Sequence, residues 1–354
     1  MTAYVVAAVV LASFVGALVY IAFLLPAAQS AKLASILGAP RWRIHTSHAI
    51  GAPSAPALVV VDAMRGRGRG GREHLRVRVV GLDDGAVRAE RVLYASPSVV
   101  SVHGSAGGVT WISGLEADGP VALRETDLET AVSSSALRRA DASLADGPAR
   151  VGPVGARGLA VLSRDGRWLA IDASGRAAPL DRPPSSEGDR DPGLLRPLQW
   201  SDRATFPEPG RSVRLTPGPE RQRIEHAGAA DGATPTREGP TFLAASLACV
   251  GGPDGPRALE LAEPGSVLVR HHDRLGSAGR LKLSAVRLHD GAERWSLAVV
   301  EARVSSDAGD DLAAAYVVGS DLVLVVEQRA GETAVAHVVR IDTRRGTRRW
   351  ARQL

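Results

Sequence analysis

His271-His272-Asp273 is the run in this 354-residue chain whose residue types come nearest to a metal site. Imidazole nitrogens and a carboxylate oxygen are common donors to zinc. Their spacing argues against a shared ion, because neighbours on a strand point to opposite faces of a sheet. They read instead as a strand end entering a polar loop. Asp83-Asp84 pair two carboxylates, but Gly85 follows, and Asp-Asp-Gly is turn chemistry in which Asp bonds its local backbone. Gly66–Gly71 and Gly104–Gly108 are glycine-rich, yet neither matches a P-loop or a strand–glycine–helix context. Ser, His and Asp all occur without a Gly-x-Ser-x-Gly elbow to place a triad. Cys249 is the sole cysteine and sits in the apolar run FLAASLACV, so it reads as a small buried residue. One cysteine excludes an intrachain disulfide and any site built on several cysteines. No catalytic, metal or cofactor site is expected from these residues.

The elements around them are more informative. Ala3 to Leu25 is a run of 23 residues without a charge. At 1.5 Å per residue it spans roughly 35 Å, enough for one hydrocarbon core, and Pro26 ends it. No Lys or Arg precedes the run, which argues for an uncleaved anchor over a signal peptide. Lys32, Arg41 and Arg43 follow it, and the positive-inside rule then favours a cytoplasmic body. The formal charge is +5 with only two lysines, Lys32 and Lys282, and acids are interspersed with the arginines. That pattern does not point to phosphate binding. RGRGRGG, residues 65–71, falls between two apolar strands and reads as a hairpin loop, so nucleic acid is not an expected partner.

Beyond residue 43 the chain repeats one unit of strand, loop, strand, turn and short strand. Asp321 to Trp350 shows it most clearly: Leu322–Val326, a polar loop Gln328–Thr333, Val335–Ile341, a turn Asp342–Gly346, and a strand ending in Trp350. Ser266 to Leu297 repeats it with strands Val267–His271 and Leu281–Leu288, a turn at Asp290-Gly291, and Trp295. Turns at Asp83-Gly85, Asp127 and Asp172-Gly175 mark further copies without the tryptophan. The residues before these turns are Leu82, Thr126, Ile171, Leu288 and Ile341, separated by 44, 45, 117 and 53 positions. A period of about 40–50 residues with hairpins in each unit is the mark of β-propeller blades. Between 181 and 240 the pattern fails in a Pro/Gly-rich stretch that reads as irregular, with short strands at Ser212–Thr216 and Arg221–Glu225.

Asp342-Thr-Arg-Arg-Gly346-Thr-Arg-Arg-Trp350 resembles the tryptophan-docking repeat of quinoprotein-type (PQQ-like) β-propellers, Ala-x-Asp-x-x-Thr-Gly-x-x-x-Trp. Asp, Gly and Trp match, while Arg340 and Arg345 stand at the family's Ala and Thr. The resemblance implies an all-β fold, a propeller of about six or seven four-stranded blades, and the uncharged run 3–25 puts one N-terminal transmembrane helix before it. The domains are then an anchor at 1–26, a linker at 27–42 and the propeller at 43–354. The quinoprotein enzymes of the family carry an adjacent cysteine pair, which one cysteine excludes, so no cofactor is expected. Non-catalytic members serve as protein-interaction platforms. The expectation is a non-enzymatic platform, tethered to a bacterial inner membrane, for protein partners that the sequence does not name. A quinone-dependent oxidoreductase is the alternative. The resemblance places the body in the periplasm, against the flanking charges.

Overall fold

The computed structural model describes residues 42–354 except 52–54, 65–72, 96–99, 117–118, 184–195, 209, 228–233, 236–239, 253–254, 260, 262–264, 276–278, 301–308 and 331–332. The apolar run 3–25, the linker up to residue 41 and the arginine–glycine stretch 65–71 lie outside the described residues. Among the described residues no helix is long and apolar enough to cross a membrane.

The first sheet is Trp42–Ile50 (β1), Ala57–Met64 (β2), Glu73–Gly81 (β3) and Val87–Ala95 (β4), antiparallel and in chain order. The second is Ser101–Ala106 (β5), Val109–Glu116 (β6), Gly119–Arg124 (β7) and Thr130–Val132 (β8). A short helix, Ser134–Ala140 (α1), follows and is capped by the Ser133 hydroxyl, which accepts the Ala136 N–H. The third sheet is Arg150–Gly155 (β9), Gly158–Leu162 (β10), Trp168–Ile171 (β11) and Ala177–Pro179 (β12).

Next come Arg196–Pro197 (β13), Gln199–Ser201 (β14), Arg203–Thr205 (β15), Ser212–Leu215 (β16), Ile224–Ala227 (β17) and Thr234–Pro235 (β18). Leu243–Val250 (β19), Arg257–Ala258 (β20), Ser266–His272 (β21), Leu281–Arg287 (β22) and Glu293–Ala298 (β23) continue the chain. β14 to β23 form one ten-stranded sheet. The last sheet is Gly309–Val318 (β24), Asp321–Ala330 (β25), Thr333–Asp342 (β26) and Thr347–Gln353 (β27), with β13 added beside β24.

These residues form these elements because the middle strands are apolar on both sides. In β2, Val59 and Val61 enter the core shared with the second sheet, while Leu58 and Val60 enter the core shared with the last sheet. A strand buried on both faces reads as a continuous apolar run, and ALVVV is one. Outer strands such as β27 alternate exposed and half-buried residues. Further buried clusters join the second sheet to the third, the last sheet to β19–β23, and β15–β17 to β19–β22 within the ten-stranded sheet. That last cluster requires the ten-stranded sheet to curl on itself. The architecture is all-β and propeller-like.

Three expectations need correction. The stretch Gln328–Thr333, expected as a loop, is strand at both of its described ends: β25 and β26 stay paired through Gln328↔Val335, Arg329↔Ala334 and Ala330↔Thr333. Gln328 is buried and its Nε2 donates to Asp310 Oδ1 at 3.1 Å. The stretch 181–240 is also less irregular than its composition suggests, because it holds β13 to β18. β13 and β14 pair with β24 and β19, far along the chain. The expected strand at Arg221–Glu225 starts instead at Ile224, because Gln222 bridges to Phe242 and its Oε1 accepts the Ala245 N–H.

Candidate functional site

The residues singled out by the repeat come together where neighbouring sheets meet. The turn before the outer strand has the same backbone bonds in four sheets. Gly85, Leu128, Gly291 and Gly346 each donate an N–H to the carbonyl four positions earlier, that of Gly81, Arg124, Arg287 and Asp342. The donor residue has positive φ in every case, including Leu128 at 59°. This conformation suits glycine and costs a side-chain-bearing residue about 1 kcal/mol or more.

The acids cap these turns. Asp127 Oδ1 accepts the Glu129 N–H at 2.8 Å, and Asp290 Oδ1 accepts the Ala292 N–H at 3.0 Å. In the first turn the capping carboxylate is that of Asp84, which takes the Ala86 N–H at 2.9 Å. Asp83, the residue expected there, faces Arg88 at 3.7 Å instead. Asp172 accepts the Ser174 and Arg176 N–H groups around a tighter turn closed by Gly175. Asp342 stands at the start of its turn and takes the Arg344 and Arg345 N–H groups. Bonds from the Arg124 side chain and the Glu129 N–H hold Asp127 below the usual carboxylate range, and bonds from Ser174 and Arg176 do so for Asp172. The Ala292 N–H does the same for Asp290.

Four residues after the turn, the outer strand reaches the next sheet. Trp295 lies over Gly346, where a β-carbon would overlap its indole, and Trp295 Nε1 donates to the Thr343 carbonyl at 3.1 Å. Trp350 lies over Gly85, where a β-carbon would come within 2.7 Å of the ring. Val132 fills the same place against Gly175, its methyls 3.3 and 3.5 Å from the β-carbon position. The first-to-second junction inverts the sizes: Ala89 holds the fourth position, and Leu128, fully buried, takes the turn position in the same core. Sequence reasoning found the two tryptophans and missed Val132, Ala89 and Leu128. The signal available was the spacing of four from the turn for Val132 and Ala89, and the turn position itself for Leu128.

Trp350 belongs to the last sheet and Gly85 to the first, so this contact joins the two ends of the described chain. Tyr316 and Ser47 reinforce it through a 3.0 Å hydroxyl contact, and Tyr316 donates to the Ser47 carbonyl at 2.8 Å. Arg340 Nη1 donates to the Leu82 carbonyl at 2.6 Å, and Glu327 Oε2 accepts the Ile44 N–H at 3.2 Å.

The histidine pair separates as strand geometry requires. His271 is buried, bonded to Ser284 Oγ at 2.9 Å and stacked at a tilt on Phe242, while His272 faces the other side. Burial pushes the His271 pKa down to about 4, so it is neutral at pH 7. Cys249 is fully buried, and burial pushes its thiol up to about 11, which leaves it unreactive at neutral pH. Among the described residues no group of three His, Cys, Asp or Glu side chains is placed to hold a metal ion. The arrangement at the junctions supplies rigid turns and close packing.

Compared with known families, residues 254–354 match the family described as outer membrane protein assembly factor BamB. The match covers β20 onwards and includes the Trp295–Gly346 junction. No curated protein matches the chain. The family match is consistent with a non-catalytic, assembly-factor type of protein.

Two outcomes are expected. Gly85→Ala lowers stability by about 2 kcal/mol or more, because it adds backbone strain to an overlap with Trp350. In a Trp350→Ala background the overlap with the ring is gone, leaving backbone strain and the approach of the flexible Arg352 side chain at 2.7 Å, so the cost drops. A double-mutant cycle by urea denaturation measures this, and equal costs in both backgrounds would refute the contact. The second concerns His271. Its folded pKa lies below its unfolded value, so the unfolded chain binds the extra proton. Its stabilising contribution is full above the unfolded pKa, near 6.5, and is lost as pH falls towards 4, on the order of 3 kcal/mol. His271→Asn should flatten that limb of the stability–pH curve.

Proposed function

We propose that this chain is a membrane-tethered, non-enzymatic propeller that holds other proteins on its surface. In this reading it has six four-stranded units, with the ten-stranded sheet supplying two: β15–β18, and β19 with β21–β23. The observation that carries it is the family match over 254–354 together with the junction geometry inside it, in which an outer-strand tryptophan covers the glycine of the next turn. The matched family's description names an assembly factor, a role exercised through binding. The repeated junctions support it further, because a rigid ring presents turns as a fixed surface for recognition. The run 3–25 would anchor the body, and the family likeness favours the periplasmic side.

Photo-crosslinking residues placed at exposed turn positions Ser174 and Arg345 should give discrete protein adducts in cells. Absence of adducts at both, combined with dye-linked oxidation when the quinone PQQ and calcium are added, would replace the platform with an oxidoreductase. Topology is a separate test. Alkaline phosphatase fused after Leu354 should be active if the body is periplasmic, and an inactive but stable fusion would place it in the cytoplasm as the flanking charges favour.

A further inference from the structure

A cavity of about 350 Å3 opens beside the turns of the last sheet. This is within the range of sites that hold a small ligand or a few side chains. Leu259, Leu261 and Val317 give it a small apolar wall, each less than a tenth exposed, beside polar groups of Ser320, Asp321 and Thr343, and Leu322 lies fully buried behind it. Arg196 and Arg344 also line it and are exposed. They come from different parts of the chain: β13 brings Arg196 alongside Val317, and the Asp342–Gly346 turn carries Arg344.

The charges at this cavity are unbalanced. Asp321 lines it too: its Oδ2 is held by Arg340 Nε at 2.7 Å and Arg349 Nε at 2.8 Å, while its Oδ1 is buried with no hydrogen-bond partner among the described residues. Asp342 is engaged by Arg349 and by the N–H groups of its own turn. Arg196 and Arg344 have no ion-pair partner among the described residues. Arg345, beside Arg344, is also exposed. An apolar wall with unpaired guanidinium groups at its mouth suits a ligand with the complementary order, an apolar side chain flanked by carboxylates. Arg is suited to this, since its planar fork takes a carboxylate by two bonds.

We propose that this cavity docks an acidic segment of a partner protein, with an apolar side chain against Leu259, Leu261 and Val317 and neighbouring carboxylates on Arg196 and Arg344. The inference rests on the platform reading and gives that platform's partner its chemistry. The framework around the cavity is held in place independently of any partner. The Thr343 hydroxyl donates to the Ser320 carbonyl at 2.6 Å, and Trp295 holds the Thr343 carbonyl from the neighbouring sheet. Pre-formed sites of this kind bind without an ordering cost on their own side.

The test uses the full chain and a fluorescein-labelled hexapeptide of alternating glutamate and leucine, followed by anisotropy. Two control peptides replace glutamate by lysine or leucine by glycine. The expected result is binding about tenfold tighter than either control, weakening as salt is raised. The exposed double substitution Arg196→Glu with Arg344→Glu should abolish that advantage, whereas Arg203→Glu, on the exposed face of β15, should leave it. Equal affinity for the double variant, for the lysine control or for the glycine control would overturn the proposal, as would no binding by the parent chain. Crosslinks that persist at Ser174 and Arg345 while the glutamate–leucine peptide fails would sink this cavity and spare the platform. Loss of the crosslinks as well would remove both.

Discussion

Strands apolar on both faces cannot stand alone in water, and that constraint organises this protein. β2, β21 and β25 each bury nearly every side chain, so the sheets that hold them need a neighbour on either side. Burial of a single Val or Leu is worth about 1.5–3 kcal/mol, so an uncovered face would cost more than the net stability of a typical domain. The junction at the turn is the local solution. One side chain, four residues after the turn, closes the wedge that two twisted sheets leave at their outer edge. Its size and that of the residue opposite vary in compensation: Trp on Gly twice, Val on Gly once, Ala beside Leu once.

The same rule accounts for the place where the series changes. In the third sheet the corresponding fourth residue is Pro179, and it is exposed. Among the described residues no shared buried cluster joins β9–β12 to β15–β18. The outward face of β15–β17 explains this chemically, since Arg203, Thr205 and Arg214 are exposed there and Arg214 pairs with Glu225 across the strands. Polar side chains on that face can stay in water. The first and last sheets, by contrast, share a buried core and several cross-sheet hydrogen bonds, although their residues are some 260 positions apart. The ends of the described chain are therefore joined more firmly than its middle.

How much of this was legible follows from where each signal resides. Apolar runs bounded by Asp and Gly are local, so β2, β3, β21, β22 and the turns at 85, 291 and 346 could be read directly. The swap of Ala89 and Leu128 could not, because the compensation joins residues in different sheets and neither looks unusual alone. Asp83 and Asp84 both fit the turn by sequence, and only the geometry shows which carboxylate meets the Ala86 N–H. Glu327, Gln328 and Asp310 look like loop residues by polarity. Glu327 and Asp310 take the Ile44 and Leu281 N–H groups of other sheets, and Gln328 bonds Asp310 on the neighbouring strand. α1 begins at a serine run that resembles a loop until Leu137 is seen in the core between the second and third sheets.

The turns also bear on what kind of function the protein can have. Asp84, Asp127, Asp172, Asp290 and Asp342 all spend their carboxylates on backbone N–H groups of their own turns. For Asp127, Asp172 and Asp290 those bonds favour the ionised form, which is the opposite of what a general acid requires. Acids committed in this way give the turns shape and contribute little free charge, whereas Arg344, Arg345 and Arg196 stay exposed nearby. A surface built like this is stiff, mixed in polarity and positively biased near the last sheet. Those properties favour recognising another molecule over transforming it, because binding draws on fixed shape and unspent charge, and catalysis needs titratable groups free to change state.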